Sequence, residues 1–175
     1  DEISTSNTKN FTKFIYSVAN GTDKERLNKD SELKRRGSWL SVILSNGEKS
    51  LINSSDKNAG IQVRVIEAKN LEWTKSAENA ERINGIILEN HGHLGLEFAE
   101  YIMGLDKDKL VGVFEEVKED IYATVNQKLI VDNMTKRRCI NFAILLMTAL
   151  LFQDMLDITL DIDGITNLLV NIVKT

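Results

Sequence analysis

The chain has 175 residues, 22 basic and 26 acidic side chains for a net charge of −4, 42% hydrophobic and 27% charged content, one cysteine and no proline. This balance excludes a mostly disordered chain, and Cys139 alone excludes an internal disulfide framework or a cysteine-rich zinc module, so a cytoplasmic setting is the default expectation. At average usage about nine prolines would be expected, and their absence points to a mainly helical chain with short polar connections.

The length suits one domain of ordinary size, or one domain with a small appendage. Thr8 to Val18 places Phe11, Phe14, Ile15 and Val18 at helical spacing, and Asn20-Gly21 stops the pattern, Gly21 being suited to a left-handed cap. Asp23 to Arg36 is a charged stretch whose apolar residues are Leu27 and Leu33; six cations and four acids leave it locally basic on an acidic chain. Trp39 to Leu44 is a nearly continuous apolar run bounded by Gly37 and by Ser45-Asn46-Gly47, the pattern of a strand buried on both faces. Asn53 to Gly60 reads as a polar loop. Ile61, Val63 and Val65 then alternate with Gln62 and Arg64, which predicts a second strand over Ile61 to Glu67. From about Lys75 the pattern is helical throughout: Ala77 to Glu89, Leu94 to Met103, Lys107 to Gln127, Thr135 to Phe152, and Ile165 to Val173 with Asp163 as its N-cap. The change near Lys75 separates a mixed part, 1–75, from an all-helical part, 76–175.

The longest apolar run, Ala143 to Phe152, is shorter than the roughly 18 residues a bilayer span requires, so no membrane association is expected. The chain opens at Asp1-Glu2 without a methionine or a signal-peptide pattern, and is read as a piece of something longer.

Four features could carry chemistry. Asp1-Glu2, followed by a small polar stretch and a helix, has the form of the acidic end of a nucleotide-hydrolysing strand, where the Asp helps to hold Mg²⁺ and the Glu polarises water; solvated terminal acids are the plainer alternative. Ser45 and Asn46 leave the end of a predicted buried strand, where a polar side chain can reach a γ-phosphate; an Asn-Gly turn is the alternative. Arg64 in an alternating apolar stretch must find an anion, such as a neighbouring subunit's nucleotide, or reach solvent beside Glu67 or Glu48. Lys24, Arg26, Lys29, Lys34, Arg35 and Arg36 suit non-specific phosphate contacts, or form a solvated charged loop. Three other matches fall short. Gly47-Glu48-Lys49-Ser50 lacks the glycines of a phosphate-binding loop, His91-Gly92-His93 lacks further metal ligands, and Asp161 with Asp163 lacks the rest of a calcium loop.

Taken in order, Asp1-Glu2, Ala19-Asn20-Gly21, Lys24-x-Arg26, Trp39, Leu44-Ser45-Asn46-Gly47-Glu48, Gly60, Arg64 to Glu67, His91-Gly92, Gly95, Phe98, Arg138 and Phe142-Ala143 form a pattern. It resembles the C-terminal part of the family catalogued as domain of unknown function nine-two-seven, found in phage and mobile-element proteins. That family is itself similar to replicative helicases with an AAA+ or RecA-like motor, including helicases of staphylococcal-type cassette elements. The resemblance implies an α/β fold, a partial P-loop NTPase-like sheet remnant of AAA+ type over 1–75, followed by a mainly α-helical lid over 76–175, predominantly helical overall.

By the same resemblance Asp1 and Glu2 end the Walker B strand, with Asp1 holding Mg²⁺ through the nucleotide. Ser45 or Asn46 stands as sensor 1 and Arg64 at an arginine-finger position. Lys24, Arg26 and Lys34 to Arg36 lie on a DNA-contacting hairpin, and Arg137 or Arg138 is a sensor in the lid. The departure from the family pattern is the absent Walker A loop. ATP and Mg²⁺ would serve the parent protein, with neither held tightly by this chain. The implied function is part of a helicase-type ATPase that couples ATP hydrolysis to DNA unwinding or replication, inactive by itself. The alternative is a non-enzymatic helical module that binds DNA or a protein. Exposed strand edges would favour homo-oligomers.

Overall fold

The computed structural model describes residues 11–23, 25, 27, 29, 33, 35–53, 59–72, 74–127 and 132–173. Among them are seven α-helices: α1 (Thr12–Asn20), α2 (Ala59–Arg64), α3 (Ala77–Glu89), α4 (Leu94–Gly104), α5 (Lys107–Asn126), α6 (Asn133–Leu156) and α7 (Ile162–Val173). The chain divides into two compact units, Asp1–Glu67 and Ala68–Thr175.

In the first unit, α1 buries Ile15 and the preceding Phe11 against Ile61 of α2, with Tyr16, Leu51, Ile52 and Val65 packed around them. Helix α1 ends as its sequence requires. Gly21 turns into the left-handed region at φ 66°, and its N–H bonds the carbonyl of Val18 at 3.2 Å.

The expected sheet remnant is not present: the described residues contain isolated bridges but no strand or sheet. The fold class is therefore helical, which corrects the α/β expectation. Two local misreadings account for it. Residues 61–64, expected as the start of the strand 61–67, instead lie in α2, because Ile61 and Val65 are also four residues apart and so share a helical face. The N–H of Val65 bonds the carbonyl of Ile61 at 3.0 Å. The apolar run 39–44 forms no strand, and Leu40, Val42 and Leu44 are exposed by 104, 89 and 94%. A strand needs neighbours to take up its N–H and C=O groups, and no described segment supplies a ladder. With no sheet, the strand edges invoked for self-association are also missing among the described residues.

The second unit is built by α5, α6 and α7. Val117, Ile121 and Val125 of α5 meet Cys139, Phe142, Ala143 and Leu146 of α6 and Leu169, Val170, Ile172 and Val173 of α7. Each large apolar side chain so buried contributes about 1.5–3 kcal/mol. Helix α4 joins the C-terminal half of α6 through an edge-to-face pair, Phe98 on Phe152 with centroids 5.5 Å apart. The Tyr101 hydroxyl beside it donates to the Asp154 carboxylate. Among the described residues, helix α3 packs on no other helix.

Acceptor side chains start four of these helices. Ser76 Oγ accepts from the N–H of Asn79 at 3.1 Å, and Asp106, Asp132 and Asp161 accept from Lys109, Thr135 and Gly164 at 2.9, 2.7 and 2.8 Å. The Thr135 amide holds the Asp132 carboxyl below the usual carboxylate range. The cap of α7 is thus Asp161, not the expected Asp163, and the helix begins three residues earlier than its apolar stripe. Helix α6 is long and apolar enough to cross a membrane by length and composition, longer than the run 143–152 suggested. One face of it, carrying Cys139, Phe142, Ala143 and Leu146, is buried against α5 and α7, and 22% of its apolar window is buried in all.

Candidate nucleic-acid interface

The charged stretch after α1 folds back on itself. Thr22 bridges to Ser38 and Leu27 to Leu33, both antiparallel. The Asp23 N–H bonds the carbonyl of Gly37 at 3.0 Å. All three pairs fall in one register, so the described residues of 22–38 lie on a hairpin.

The hairpin's base is tied to α1 by Trp39. Its backbone N–H bonds the carbonyl of Gly21 at 2.8 Å, and its indole N–H bonds the carbonyl of Val18 at 2.9 Å. The left-handed turn at Gly21 is what aims that carbonyl toward Trp39. The sequence marks Trp39 only as the start of a strand. Its role as an anchor has no local signature, because both its partners are backbone carbonyls.

Of the six cations in this stretch, Lys29, Arg35 and Arg36 are described and exposed. Lys24, Arg26 and Lys34 lie outside the described residues. Arg36 pairs with Glu25 at 3.0 Å, and both side chains are open to solvent. Such a pair holds its partners weakly, by about 0–1 kcal/mol, and a phosphate can displace the carboxylate at little cost.

Asp1 and Glu2 lie outside the described residues. Ser45 and Asn46 are exposed, and the Ser45 hydroxyl donates to the carbonyl of Asn46 at 3.1 Å. Arg64 curls over its own helix. Its guanidinium donates to the carbonyl of Gly60 at 2.9 Å and lies 4.5 Å from the centre of the Tyr16 ring. No hydrogen bond or ion pair among the described residues joins Ser45 or Asn46 to Arg64. The sequence carries no Gly-x-x-x-x-Gly-Lys-Ser/Thr loop.

Arg137 is exposed on α6, while Arg138 is 9% exposed. The guanidinium of Arg138 donates to the carbonyls of Val173 at 3.1 Å and Ile172 at 2.7 Å, capping the C-terminal turn of α7. Burial pulls its pKa down from the ordinary arginine value. No group of three or more His, Cys, Asp or Glu side chains gathers for a metal among the described residues. His91 instead closes α3, its Nδ1 lying 3.2 and 3.1 Å from the carbonyls of Ile87 and Leu88.

No protein-family model matches the chain, and no curated protein matches it. The structure is similar to a solved structure described as "SCCmec type IV Cch - active helicase", with a TM-score of 0.79 and 25% sequence identity. The match covers 99% of this chain and 30% of that one, so the chain spans less than a third of the helicase it is similar to. The expected family resemblance is therefore carried at a coarser level, as likeness to a helicase.

Proposed function

We propose that this chain is part of a helicase-type ATPase of a phage or mobile element, acting on DNA in the cytoplasm, and that the hairpin of residues 22–38 is its nucleic-acid contact. The observation that carries the reading is a basic hairpin, anchored to α1, on a chain whose whole fold is shared with a helicase. Lys29, Arg35 and Arg36 neutralise phosphates and release counterions, which gives affinity without sequence preference. The chain's net charge of −4 opposes DNA binding overall, so the attraction has to come from a local cluster of cations. ATP and Mg²⁺ serve the complete protein; this chain holds neither tightly.

Fluorescence anisotropy with labelled DNA tests the reading. Arg35→Ala/Arg36→Ala is expected to weaken binding equally across sequences and to reduce the slope of log K against log salt by about 0.7–0.9 for each phosphate no longer neutralised. Unchanged affinity and slope would remove the hairpin from DNA binding.

A second reading, a non-enzymatic helical module for a protein partner, is favoured by one observation. Helix α3 exposes Ile83, Ile86 and Ile87 and packs on no other helix among the described residues. A chain that binds no DNA at any salt would favour it.

A further inference from the structure

Helix α3 stands without a neighbour. Among the described residues no other helix packs on it, and its Ile83, Ile86 and Ile87 are 40, 51 and 55% exposed. A lone helix of 13 residues is marginal in water, and a stripe of isoleucines left in water is unfavourable. The stripe has a definite period. Asn79, Ile83, Ile86 and Asn90 follow the four-three-four spacing of a coiled-coil seam, with Ala80 and Ile87 along one edge of it. Asn90 is held on the last turn by its side-chain amide, which donates to the carbonyl of Ile86 at 3.0 Å. Arg82 and Glu89 line the other edge; both are exposed, and neither makes an ion pair among the described residues.

This arrangement complements itself when a second copy is turned end for end. About a two-fold axis near Asn84, Ile83 of each copy faces Ile86 of the other, and Asn79 faces Asn90. Along one edge Ile87 lies beside Ala80 of the second copy. Along the other, Arg82 meets Glu89 of the second copy, and the symmetry makes that ion pair twice. A parallel pair instead sets Arg82 beside Ile87 of the second copy, where it finds no acid.

We propose that two copies of this chain associate through an antiparallel pair of α3 helices, with Ile83 and Ile86 at its centre and Arg82 and Glu89 fixing its register. The inference is independent of the DNA-binding reading, and it rests self-association on a helical face. One pair of short helices covers less than the roughly 1,600 Å² of a standard interface, so the dimer is expected to be weak, forming at micromolar concentration.

Sedimentation of the 175-residue chain without DNA, over two decades of micromolar concentration, tests it. A monomer–dimer equilibrium is expected. Ile83→Gln/Ile86→Gln should abolish it; both side chains are exposed and glutamine suits a helix, so an unchanged circular dichroism melt serves as the folding control. Arg82→Glu and Glu89→Arg should each weaken association about fivefold or more, since each turns two attractive pairs into repulsive ones. Mixing those two variants should recover it, because each then supplies the charge that the other lacks.

A chain that stays monomeric throughout overturns the proposal, and would leave the α3 face to a different protein. A dimer that survives Ile83→Gln/Ile86→Gln also overturns it, by placing the interface elsewhere. So does a mixture of the two charge variants that associates no better than either alone. None of these outcomes bears on DNA affinity, which is measured separately.

Discussion

At Gly21 the backbone takes φ 66°, and a β-carbon there would stand 2.8 Å from the carbonyl of Trp39. Left-handed backbone costs an L-residue roughly 1–2 kcal/mol, and here a main-chain atom must also move aside. Gly21→Ala is therefore expected to destabilise the first unit by about 1–3 kcal/mol. The same substitution should loosen the hairpin, since the Gly21 carbonyl receives the Trp39 N–H. A urea titration followed by tryptophan fluorescence in a Trp73→Phe background reports both effects; an unshifted midpoint would show that the turn does not depend on glycine. Arg138 presents a different problem, a buried cation whose described partners are two carbonyls at the end of α7. Removing it strands acceptors that the last helical turn cannot satisfy itself. Arg138→Ala should cost about 2–3 kcal/mol in urea unfolding, and Arg138→Lys should recover only part of that, because one ammonium lacks the planar fork that reaches both carbonyls. Full recovery by lysine would mean that charge, not the fork, is what α7 needs.

Helix α3 has 13 residues, no buried side chain and, among the described residues, no helix packed on it. A helix of that length is marginal on its own in water, so its terminal hydrogen bonds weigh heavily. Ser76→Ala should lower its local stability by about 1 kcal/mol. Faster amide exchange within α3, with protection in α5 to α7 unchanged, is the expected result; an equal drop in both would show that α3 is coupled to the core. The helices of the second unit are legible in the sequence because each shows its period over ten residues or more, so their ends are misplaced by only a few residues. Helix α2 is not legible, since over a stretch as short as 61–65 spacings of two and of four select the same Ile61 and Val65. The run 39–44 carries β-prone residues, but whether they form a strand depends on partners that no local pattern encodes. The hairpin has a fainter signal, Leu27 and Leu33 placed evenly about a polar centre. Of the expected site, the sequence marks Arg138 as a lone cation on the apolar stripe shared with Phe142 and Leu146, without revealing that its partners are carbonyls.

Over the whole chain, the proposed DNA contact at the hairpin can be tested apart from nucleotide chemistry. The sequence has no phosphate-cradling Gly-x-x-x-x-Gly-Lys-Ser/Thr, the Arg64 guanidinium is engaged by Gly60 and Tyr16, and the match to the helicase covers less than a third of that protein. The 175-residue chain is therefore expected to release no phosphate from ATP above the blank, with or without DNA, and to give no heat of Mg-ATP binding in calorimetry. Linkage gives a second measurement of the same claim. A ligand that the chain does not bind cannot alter its affinity for another, because coupling between two sites is reciprocal. At fixed free Mg²⁺, adding ATP should leave DNA affinity unchanged apart from the ordinary salt effect, which an equal ionic strength of sodium chloride reproduces. Ordinary turnover, or an ATP-dependent change in DNA affinity that salt does not mimic, would show that the chain completes a nucleotide site after all. Arg64→Ala would then be the variant to examine first, since it removes the guanidinium that the resemblance places beside a nucleotide.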